Sequence, residues 1–324
     1  MLRKTLVFSG VLLALASSTV LAQPYPSKPV TIVVPAAAGG PSDTVARVVA
    51  PALGKEIKGT VIVENAGGAG GTIGAGKVAR SPGDGYTLYL YHIAHSTWPA
   101  LYRKLPFDVV NDFEPIGLIN DVPMTLVSKK DLPAKDFNEL LAWIKANGKK
   151  VTFGNAGVGS ASHLCGLLFM QAIQTELTPV PYKGTAPAMN DLLGGQIDLM
   201  CDQTTNTTSQ IKSGKIKVYA VTTPTRLPTM KDVPTLNELG LKNFELSAWH
   251  GLWAPKGTPK PVVEQLSKAL QVAVKDPTVT QRFADLGAVP VSEASATPAA
   301  LQTRVKTEID RWTPIIKAAG QYAD

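Results

Sequence analysis

The sequence predicts an α/β protein of two lobes, in which mainly parallel sheets are flanked by helices. Three observations support this fold class. Segments typical of strands alternate with segments typical of helices along the chain. Glycine and proline fall between these segments, where turns are expected. The chain has 324 residues, which is long for a single hydrophobic core, so two lobes are expected.

The first 22 residues have the pattern of a secretory signal peptide. Arg3 and Lys4 precede an apolar run over 6–16, and small residues of the kind that signal peptidase recognises end at Ala22. We therefore expect export and cleavage after Ala22. A retained membrane anchor is the alternative, but the apolar run is short for a bilayer span and polar residues interrupt it at 17–19.

Short β-branched or aromatic runs bounded by turn residues predict the strands. They are 30–35, 60–65, 86–91, 116–120, 124–128, 151–154, 179–182, 197–201, 216–222 and 247–254. Longer segments with helix-opening residues predict the helices. They are 41–55, 72–80, 136–146, 160–174, 186–193, 204–213, 234–239, 260–274, 276–286 and 297–318.

The most informative stretch is 30–47. The β-branched run 30–34 predicts a buried strand, and a loop of alanines and glycines follows it. Pro41, Ser42 and Asp43 then supply residue types that open a helix. Because this loop has no large side chain, a ligand could approach backbone N–H groups at a helix N-terminus, which favours anions. An ordinary strand-to-helix connection would look the same.

Two segments resemble strands that cross between lobes. The apolar stretch 116–127 is interrupted by polar residues and Pro123, and a second crossing is predicted at 246–254. The expected lobes are then 23–122 plus 249–324, and 123–248. Such a pair of connections permits hinge closure over a ligand.

Ligands of open α/β sheets bind beyond the carboxyl ends of strands. Four predicted loops lie there, two from each lobe, and they are rich in small or polar residues. They are 36–43, 92–96, 155–163 and 183–187. Backbone donors, together with the hydroxyls of Ser42, Ser160, Ser162 and Thr185, suit a carboxylate held by uncharged groups.

All four histidines lie at or beside these loops, and they could contact a ligand or serve as caps and packing residues. His95, with its neighbour Ser96, and His163 are the candidates for contact. The spacing of His92 and His95 is weak for a metal, since no third ligand completes a set, so no metal site is expected.

Two further positions allow two interpretations each. Asp202, followed by Gln203, could reach the floor of the cleft or cap the next helix. Trp249 could stack on a flat ligand or belong to the core. The two cysteines, Cys165 and Cys201, suggest one disulfide in an exported chain, with two buried thiols as the alternative.

Charge and motifs exclude several other classes. The net charge of +7 is spread along the chain without an aromatic-interleaved basic stripe, so nucleic acid is not an expected partner. The sequence 159–163 lacks the Gly-x-Ser-x-Gly elbow of hydrolases, and no phosphate-binding loop occurs. A secreted hydrolase using Ser160 or Ser162 with a histidine stays the rival hypothesis. The glycine run 67–71 has the wrong spacing for a dinucleotide and suits a turn with positive φ.

With these segments placed, the chain resembles the periplasmic solute receptors of tripartite tricarboxylate transporters, also called Bug-type or TctC-like receptors. The matching segments occur in order over essentially the whole chain. They are 28–43, 63–71, 84–88, 100–108, 159–164, 182–187 and 249–259.

The resemblance implies a two-lobed periplasmic binding protein, type II-like, that closes on a small carboxylate. It implies no cofactor, no catalysis, a monomer, and membrane permease subunits as partners. In this family the ligand carboxylate is held, partly through waters, by two loops. These correspond to Ala37, Ala38, Gly39, Gly40 and Ser42 in one lobe and to Gly184, Thr185 and Ala186 in the other. His92–Ser96 and His250 depart from the family pattern, which suggests a dicarboxylate or an aromatic carboxylate. A ligand-sensing subunit of a signalling system would share the same pocket.

Overall fold

The structure is a computed structural model that describes residues 25–320, 322 and 323. The predicted signal peptide and its cleavage after Ala22 lie outside these residues. Among the helices in the described part, none is both long enough and apolar enough to cross a membrane.

The strands of the described chain follow the predicted ones closely. They are β1 (Val30–Val34), β2 (Val61–Asn65), β3 (Thr87–His92), β4 (Phe113–Lys129), β5 (Thr152–Asn155), β6 (Thr178–Pro181), β7 (Leu199–Gln203), β8 (Ile216–Val221), β9 (Ser247–Pro255) and β10 (Val289–Pro290). The helices are α1 (Pro41–Ile57), α2 (Thr72–Ala79), α3 (Ala94–Leu101), α4 (Phe137–Asn147), α5 (Ala161–Ile173), α6 (Thr185–Leu193), α7 (Thr204–Lys212), α8 (Lys260–Ala273), α9 (Pro277–Asp285) and α10 (Pro298–Ala319).

The strands form a mixed sheet in the order β2-β1-β3-β9-β4-β7-β5-β6, with β8 and β10 also paired to β4. The α/β class is confirmed. The outer pairs are parallel as predicted, but β9 runs antiparallel to β3 and β4, and β4 runs antiparallel to β7 and β8. The centre of the sheet is therefore antiparallel, because the chain returns through β4 and β9 rather than through crossover helices.

The two strands predicted at 116–120 and 124–128 are one continuous strand, β4. It pairs with β9 up to Pro123, with β7 from Met124 onward and with β8 from Thr125 onward. Proline cannot donate to a ladder, and Pro123 stands where the strand changes partners. We call β1, β2, β3, β9, β10 and the start of β4 the first half of the sheet. The second half is β5 to β8 and the end of β4.

Side chains of β1 are buried on both faces of the sheet. Val30, Ile32 and Val34 pack in one hydrophobic cluster, and Val33 packs in the other. This two-sided burial explains why the strand is a continuous β-branched run without polar alternation. The buried strand fixes the position of the loop that leaves it.

Two predictions about helices are wrong. The segment 234–239 is a turn, in which the Thr235 hydroxyl accepts from the Glu238 amide and the Glu238 carboxylate accepts from the Thr235 amide. Such a reciprocal pair is typical of a helix N-terminus. Here Gly240, with φ +94°, ends the turn before a helix can form. Conversely, 94–101 forms helix α3, although His92–Ser96 was expected to be a loop.

The disulfide between Cys165 and Cys201 is present and is confirmed. It joins α5 to β7 with 6.0 Å between the Cα atoms. Both cysteines are buried. The bond links a helix covalently to a strand of the second half of the sheet.

Candidate functional site

A narrow cavity lies between the two halves of the sheet, at the carboxyl ends of β1, β3, β5, β6 and β7. The empty space between its wall atoms, counted together with open solvent, is about 430 Å³, and the centre of a water-sized sphere fits in only about 20 Å³ of it. Both halves contribute to its wall. The lining residues are Pro35, Ala36, Gly40, Pro41, Ser42, Gly68, Gly71, Tyr91, His92, Ala156, Ser160, Ala161, Ser162, Lys183, Gly184, Thr185, Asp202 and Gln203.

Several helices begin at this cavity. The residues that cap the N-termini of α1, α2, α5, α6 and α7 are Gly40, Gly71, Ser160, Gly184 and Gln203, and all five line it. No side chain caps α1 or α6. Helix N-termini carry partial positive charge and present N–H groups, so their convergence produces a site suited to an anion.

The loops of the two halves touch across the cavity. Gly184 has φ +122°, and a Cβ added there would lie 2.9 Å from the Cβ of Ala37 and 3.0 Å from its backbone N. Gly40 lies near the hydroxyl of Thr185, with 3.6 Å between that oxygen and a Cβ built on the glycine. Glycine at 184 therefore permits the close approach of the loop before α6 to the loop before α1.

The β1–α1 loop is held by its own helix. The carboxylate of Asp43 accepts from the backbone N–H of Gly39 at 2.8 Å and from Arg47 Nε at 2.9 Å. This pins Gly39 and leaves Gly40 and Ser42 at the cavity wall.

The serines of the second half build the start of α5. Ser160 Oγ accepts from the His163 amide at 3.2 Å, and Ser162 Oγ accepts from the Ala156 amide at 2.9 Å. The Nδ1 atom of His163 accepts from the Gly159 amide at 3.2 Å. These bonds shape a strand-to-helix turn, and they engage Nδ1 of His163.

Asp202 is a fully buried carboxyl group at the cavity. Burial raises its pKa to about 7, although the nearby Asn206 side chain, Gln203 backbone and Thr185 side chain favour the ionised form and oppose the shift. Asn206 Nδ2 donates to Oδ2 at 2.6 Å. Among the described residues, Oδ1 of Asp202 and Oε1 of Gln203 have no hydrogen-bond partner.

His92 and His250 lie beside the cavity, with 5.7 Å between their ring centroids. His92 Nδ1 accepts from the Ala94 amide at 3.1 Å, and burial lowers its pKa to about 3. The neutral ring therefore carries its proton on Nε2. His250 Nε2 lies 3.2 Å from Ser42 Oγ, and its Nδ1 lies 3.0 Å from Asn120 Oδ1.

His95 lies away from the cavity. Its Nε2 is 2.8 Å from the carbonyl oxygen of Val109 and its Nδ1 is 3.3 Å from the Tyr89 hydroxyl. Its ring packs against Trp98, Phe113 and Trp253, and burial lowers its pKa to about 4. His95 is a packing residue of the first half.

The structure brings together about half of the site residues expected from sequence. Those that line the cavity are Gly40, Ser42, Ser160, Ser162, Gly184, Thr185 and Asp202. Those outside its wall are Ala37, Ala38, Gly39, His95, Ser96, His163, Ala186 and Trp249. Trp249 is fully buried in the core, where Arg304 lies 5.8 Å from its ring, and no flat ligand could stack on it there.

Sequence reasoning did not name Tyr91, Gly68 or Gly71 as ligand contacts, although they line the cavity, whereas His92 and Lys183 lie in two of the four predicted loops. Gly68, Gly70 and Gly71 take positive φ as expected, and Gly68 and Gly71 also form part of the wall. Tyr91 donates its hydroxyl proton to the carbonyl of Gly70 at 3.1 Å, which holds that turn in place. The sequence feature that could have indicated Gly68 and Gly71 as wall residues is their position after a strand and before a helix. Among the described residues, no group of three His, Cys, Asp or Glu side chains could hold a metal ion.

The comparisons with known proteins agree with one another. The family profile described as tripartite tricarboxylate transporter family receptor matches residues 45–321. The periplasmic binding protein BugD has a TM-score of 0.90 and 52% identity, and the match covers 92% of this chain and 99% of that one. MatC from Rhodopseudomonas palustris, solved with bound malate, has a TM-score of 0.87 and 38% identity, over 90% and 100%. An R. palustris protein solved with adipate has a TM-score of 0.87 and 32% identity, over 91% and 98%.

These likenesses confirm the resemblance that the ordered sequence motifs indicated. They also confirm the fold class, since BugD, at a TM-score of 0.90, is a periplasmic binding protein, and this chain has a mixed sheet flanked by helices. The profile spans most of the chain, including both crossing strands and four of the five helix N-termini at the cavity. The chain belongs to the receptors of the tripartite tricarboxylate transporter family.

Proposed function

We propose that this protein captures a small carboxylate in the cavity between the two halves of the sheet and delivers it to a membrane transporter. The observation that carries the proposal is the convergence of helix N-termini from both halves on one cavity. Each terminus favours an anion by up to about 1 kcal/mol at an exposed site and by more in a partly buried one. A carboxylate therefore gains from several termini at once, without a buried cation.

The first carboxylate group binds at the β1–α1 and β6–α6 loops in this proposal. Backbone N–H groups around Gly40 and Gly184 are the donors, with Ala37, Ala38, Gly39 and Ala186 shaping the loops. The hydroxyl of Thr185 adds a polar contact. Uncharged donors of this kind desolvate at lower cost than a lysine or arginine.

Three side chains complete the site. His92 offers its Nε2–H, because Nδ1 is occupied and the ring is neutral. Asp202, whose pKa is near 7, donates to an anion when it is protonated and repels the anion when it is ionised. Lys183 is exposed at the rim of the cavity, where it attracts anions from solution without being buried.

Small dicarboxylates are the first candidates in this proposal, and the relatives solved with malate and with adipate support that choice. An aromatic dicarboxylate such as terephthalate is the second candidate, since it has the same two charges on a flat spacer. Trp249 would not contribute to its binding, because this side chain is buried in the core.

Closure of two lobes is part of the proposal. The lobes are residues 23–122 plus 249–324, and 123–248, and β4 crosses between them at Pro123. A ligand that contacts the N-termini of α1 and α6 together favours the closed state over the open one. We propose a monomer without catalytic turnover, exported to the periplasm after cleavage at Ala22, with the permease subunits of a tripartite tricarboxylate transporter as partners.

Isothermal titration with malate, adipate, succinate and terephthalate tests the proposal. We expect at least one of them to bind, to raise the melting temperature, and to be recovered unchanged. Thr185→Tyr should abolish binding by filling the cavity, whereas Thr303→Tyr, on an exposed face of α10, should leave the affinity unchanged. Unchanged affinity in Thr185→Tyr would remove this cavity as the binding site.

A further inference from the structure

A second and wider depression lies on the surface of the first half, between α1 and α9. The centre of a water-sized sphere fits in about 730 Å³ of it, against about 20 Å³ in the cavity between the halves. This α1–α9 groove is lined by Gly39 of the β1–α1 loop and by Arg282 of α9. It is therefore wide enough for a protein segment, and it reaches the loop to which the proposed function assigns the solute.

We propose that the α1–α9 groove docks an acidic segment of the membrane transporter, and that a carboxylate arriving there draws Arg47 away from Asp43 and loosens the β1–α1 loop. The inference rests on the proposed function, because the transporter is the partner named there. It adds a docking surface outside the cavity and a route from that surface to the solute.

The groove combines apolar and cationic side chains. Val48, Ala52 and Val279 line it, and so do the exposed cations Lys55 and Arg282. Within the described part of the chain, neither cation forms an ion pair. An acidic segment that also carries apolar residues complements such a surface.

The two carboxylates that line the groove are bound within the protein. Asp276 caps α9 by accepting from the Thr278 amide at 2.8 Å. Asp43 accepts from the Gly39 amide and from Arg47, and its side chain is only 5% exposed. The cations without a counterion therefore set the charge that a partner meets, and this charge attracts acidic residues.

Arg47 joins the groove to both ends of the β1–α1 loop. Its Nε donates to Asp43 Oδ2 at 2.9 Å, and the same oxygen accepts from the Gly39 amide at 2.8 Å. Its Nη2 donates to Asn65 Oδ1 at 3.3 Å, and Asn65 Nδ2 donates to the carbonyl of Ala36 at 3.2 Å. A displacement of the guanidinium therefore affects the loop at two points.

Arg47 and Asp43 differ in their access to solvent. The arginine side chain is 54% exposed, so a partner's carboxylate can reach it, whereas the side chain of Asp43 is buried behind it. Burial alone would raise the pKa of Asp43, but its bonds to Arg47 and Gly39 lower that pKa below its usual value, so the group is ionised. A buried carboxylate that loses its cation is destabilised, so competition for Arg47 weakens the arrangement that holds Gly39.

Receptor binding to permease vesicles tests the docking surface. The probe is the permease subunits of the transporter, reconstituted in uncharged phosphatidylcholine vesicles. We expect the double variant Lys55→Glu, Arg282→Glu to bind these vesicles about tenfold or more weakly than the wild type, with an unchanged solute affinity in solution. The control Lys145→Glu, Lys306→Glu has the same charge change at exposed positions of α4 and α10, and it should dock like the wild type.

Three results would overturn the docking surface. One is absence of docking by the wild type, and another is equal docking by the wild type and the groove variant. The third is equal binding to permease-free vesicles that contain phosphatidylglycerol, because an anionic lipid surface would then be the occupant.

The rate of solute release tests the route through Arg47. The solute is whichever of malate, adipate, succinate and terephthalate binds most tightly. Permease vesicles should accelerate its release from the wild type by about tenfold in stopped-flow mixing, since a charge-assisted hydrogen bond is lost. Arg47→Gln should release the solute faster without vesicles, and permease vesicles should accelerate that release no further. If Arg47 only stabilised the loop, the acceleration by permease vesicles would persist in Arg47→Gln, and that result would overturn the route.

The inference and the proposed function fail separately. A wild-type protein that binds none of the four acids in solution would contradict the proposed function. A protein that binds an acid in solution but docks without the groove cations would contradict this inference alone.

Discussion

Gly184 and Ala37 are in contact across the cavity, although they belong to different halves of the sheet. Gly184 has φ +122° and ψ 164°, which only glycine adopts easily, and a Cβ there would lie 2.9 Å from the Ala37 Cβ. Because residue 184 has no side chain, the loops before α1 and α6 can pack directly against each other.

Gly184→Ala should weaken carboxylate binding by about tenfold or more, because the added methyl group holds the two loops apart. The backbone strain should also lower the free energy of unfolding by about 1–3 kcal/mol. Gly195→Ala is the control, since Gly195 also has positive φ but has open space around its Cβ position. It should cost about 1 kcal/mol of stability and leave the affinity unchanged. Equal affinity losses in both variants would contradict a closure role for Gly184.

Asp202 should make both stability and binding depend on pH. Its pKa in the folded protein is raised to about 7, so its contribution to stability is fully present below the unfolded-state pKa and is lost as the pH rises through about 7. Ionised Asp202 also repels a carboxylate, so the dissociation constant should increase by up to about tenfold per pH unit above about pH 7.

Chemical unfolding from about pH 4 to about pH 8 measures the loss of stability, and titration calorimetry from about pH 6 to about pH 9 measures the loss of affinity. Asp202→Asn should bind with an affinity that changes little over this range, because the amide cannot ionise. A wild-type affinity that is constant through pH 7 would show that Asp202 does not contact the ligand.

The two histidines of the β3–α3 region should behave differently. His92→Phe should reduce carboxylate affinity by about tenfold, since it removes the Nε2–H donor at the cavity but keeps a ring against Tyr91. His95→Phe should instead lower the free energy of unfolding by about 1–3 kcal/mol, because the Val109 carbonyl loses its partner in the core. Calorimetry and urea unfolding of both variants separate the two roles, and an affinity loss confined to His95→Phe would reverse the assignment.

The disulfide should stabilise the second half without contributing to binding. Cys165 and Cys201 are 36 residues apart, and closing a loop of that length is worth about 4 kcal/mol in the chain-entropy account. The double variant Cys165→Ala, Cys201→Ala should unfold at correspondingly lower urea concentration and still bind the same acids. Loss of binding by the folded variant would show that the bond also positions α5 at the cavity.

Much of this fold was predictable from local patterns. The β-branched run 30–34 and the helix-opening residues after it were sufficient for β1 and α1, because burial on both faces requires that pattern. The crossing of 116–127 between the lobes was predicted from sequence, but the continuity of β4 through Pro123 was not, since proline and polar residues normally end a strand. The turn at 234–239 shows the reverse problem, in which local capping bonds imitate a helix start.

The site was predictable only to the level of loops. Strand ends locate the loops at one edge of the sheet, and this brought Ser42, Ser160 and Thr185 to the same cavity. His92 is the last residue of β3 and lines the cavity, whereas His95 lies in the first turn of α3 and packs in the core, so their roles depend on where the strand ends and the helix begins. The contact of His250 with Ser42 depends on strand register between β4 and β9, which no local pattern contains.

A crystal structure of the protein with bound malate tests the central claim most directly. The account predicts a carboxylate group within hydrogen-bond distance of backbone N–H groups at the N-termini of both α1 and α6. Malate held only by Lys183 at the rim, or bound outside the cavity, would contradict it.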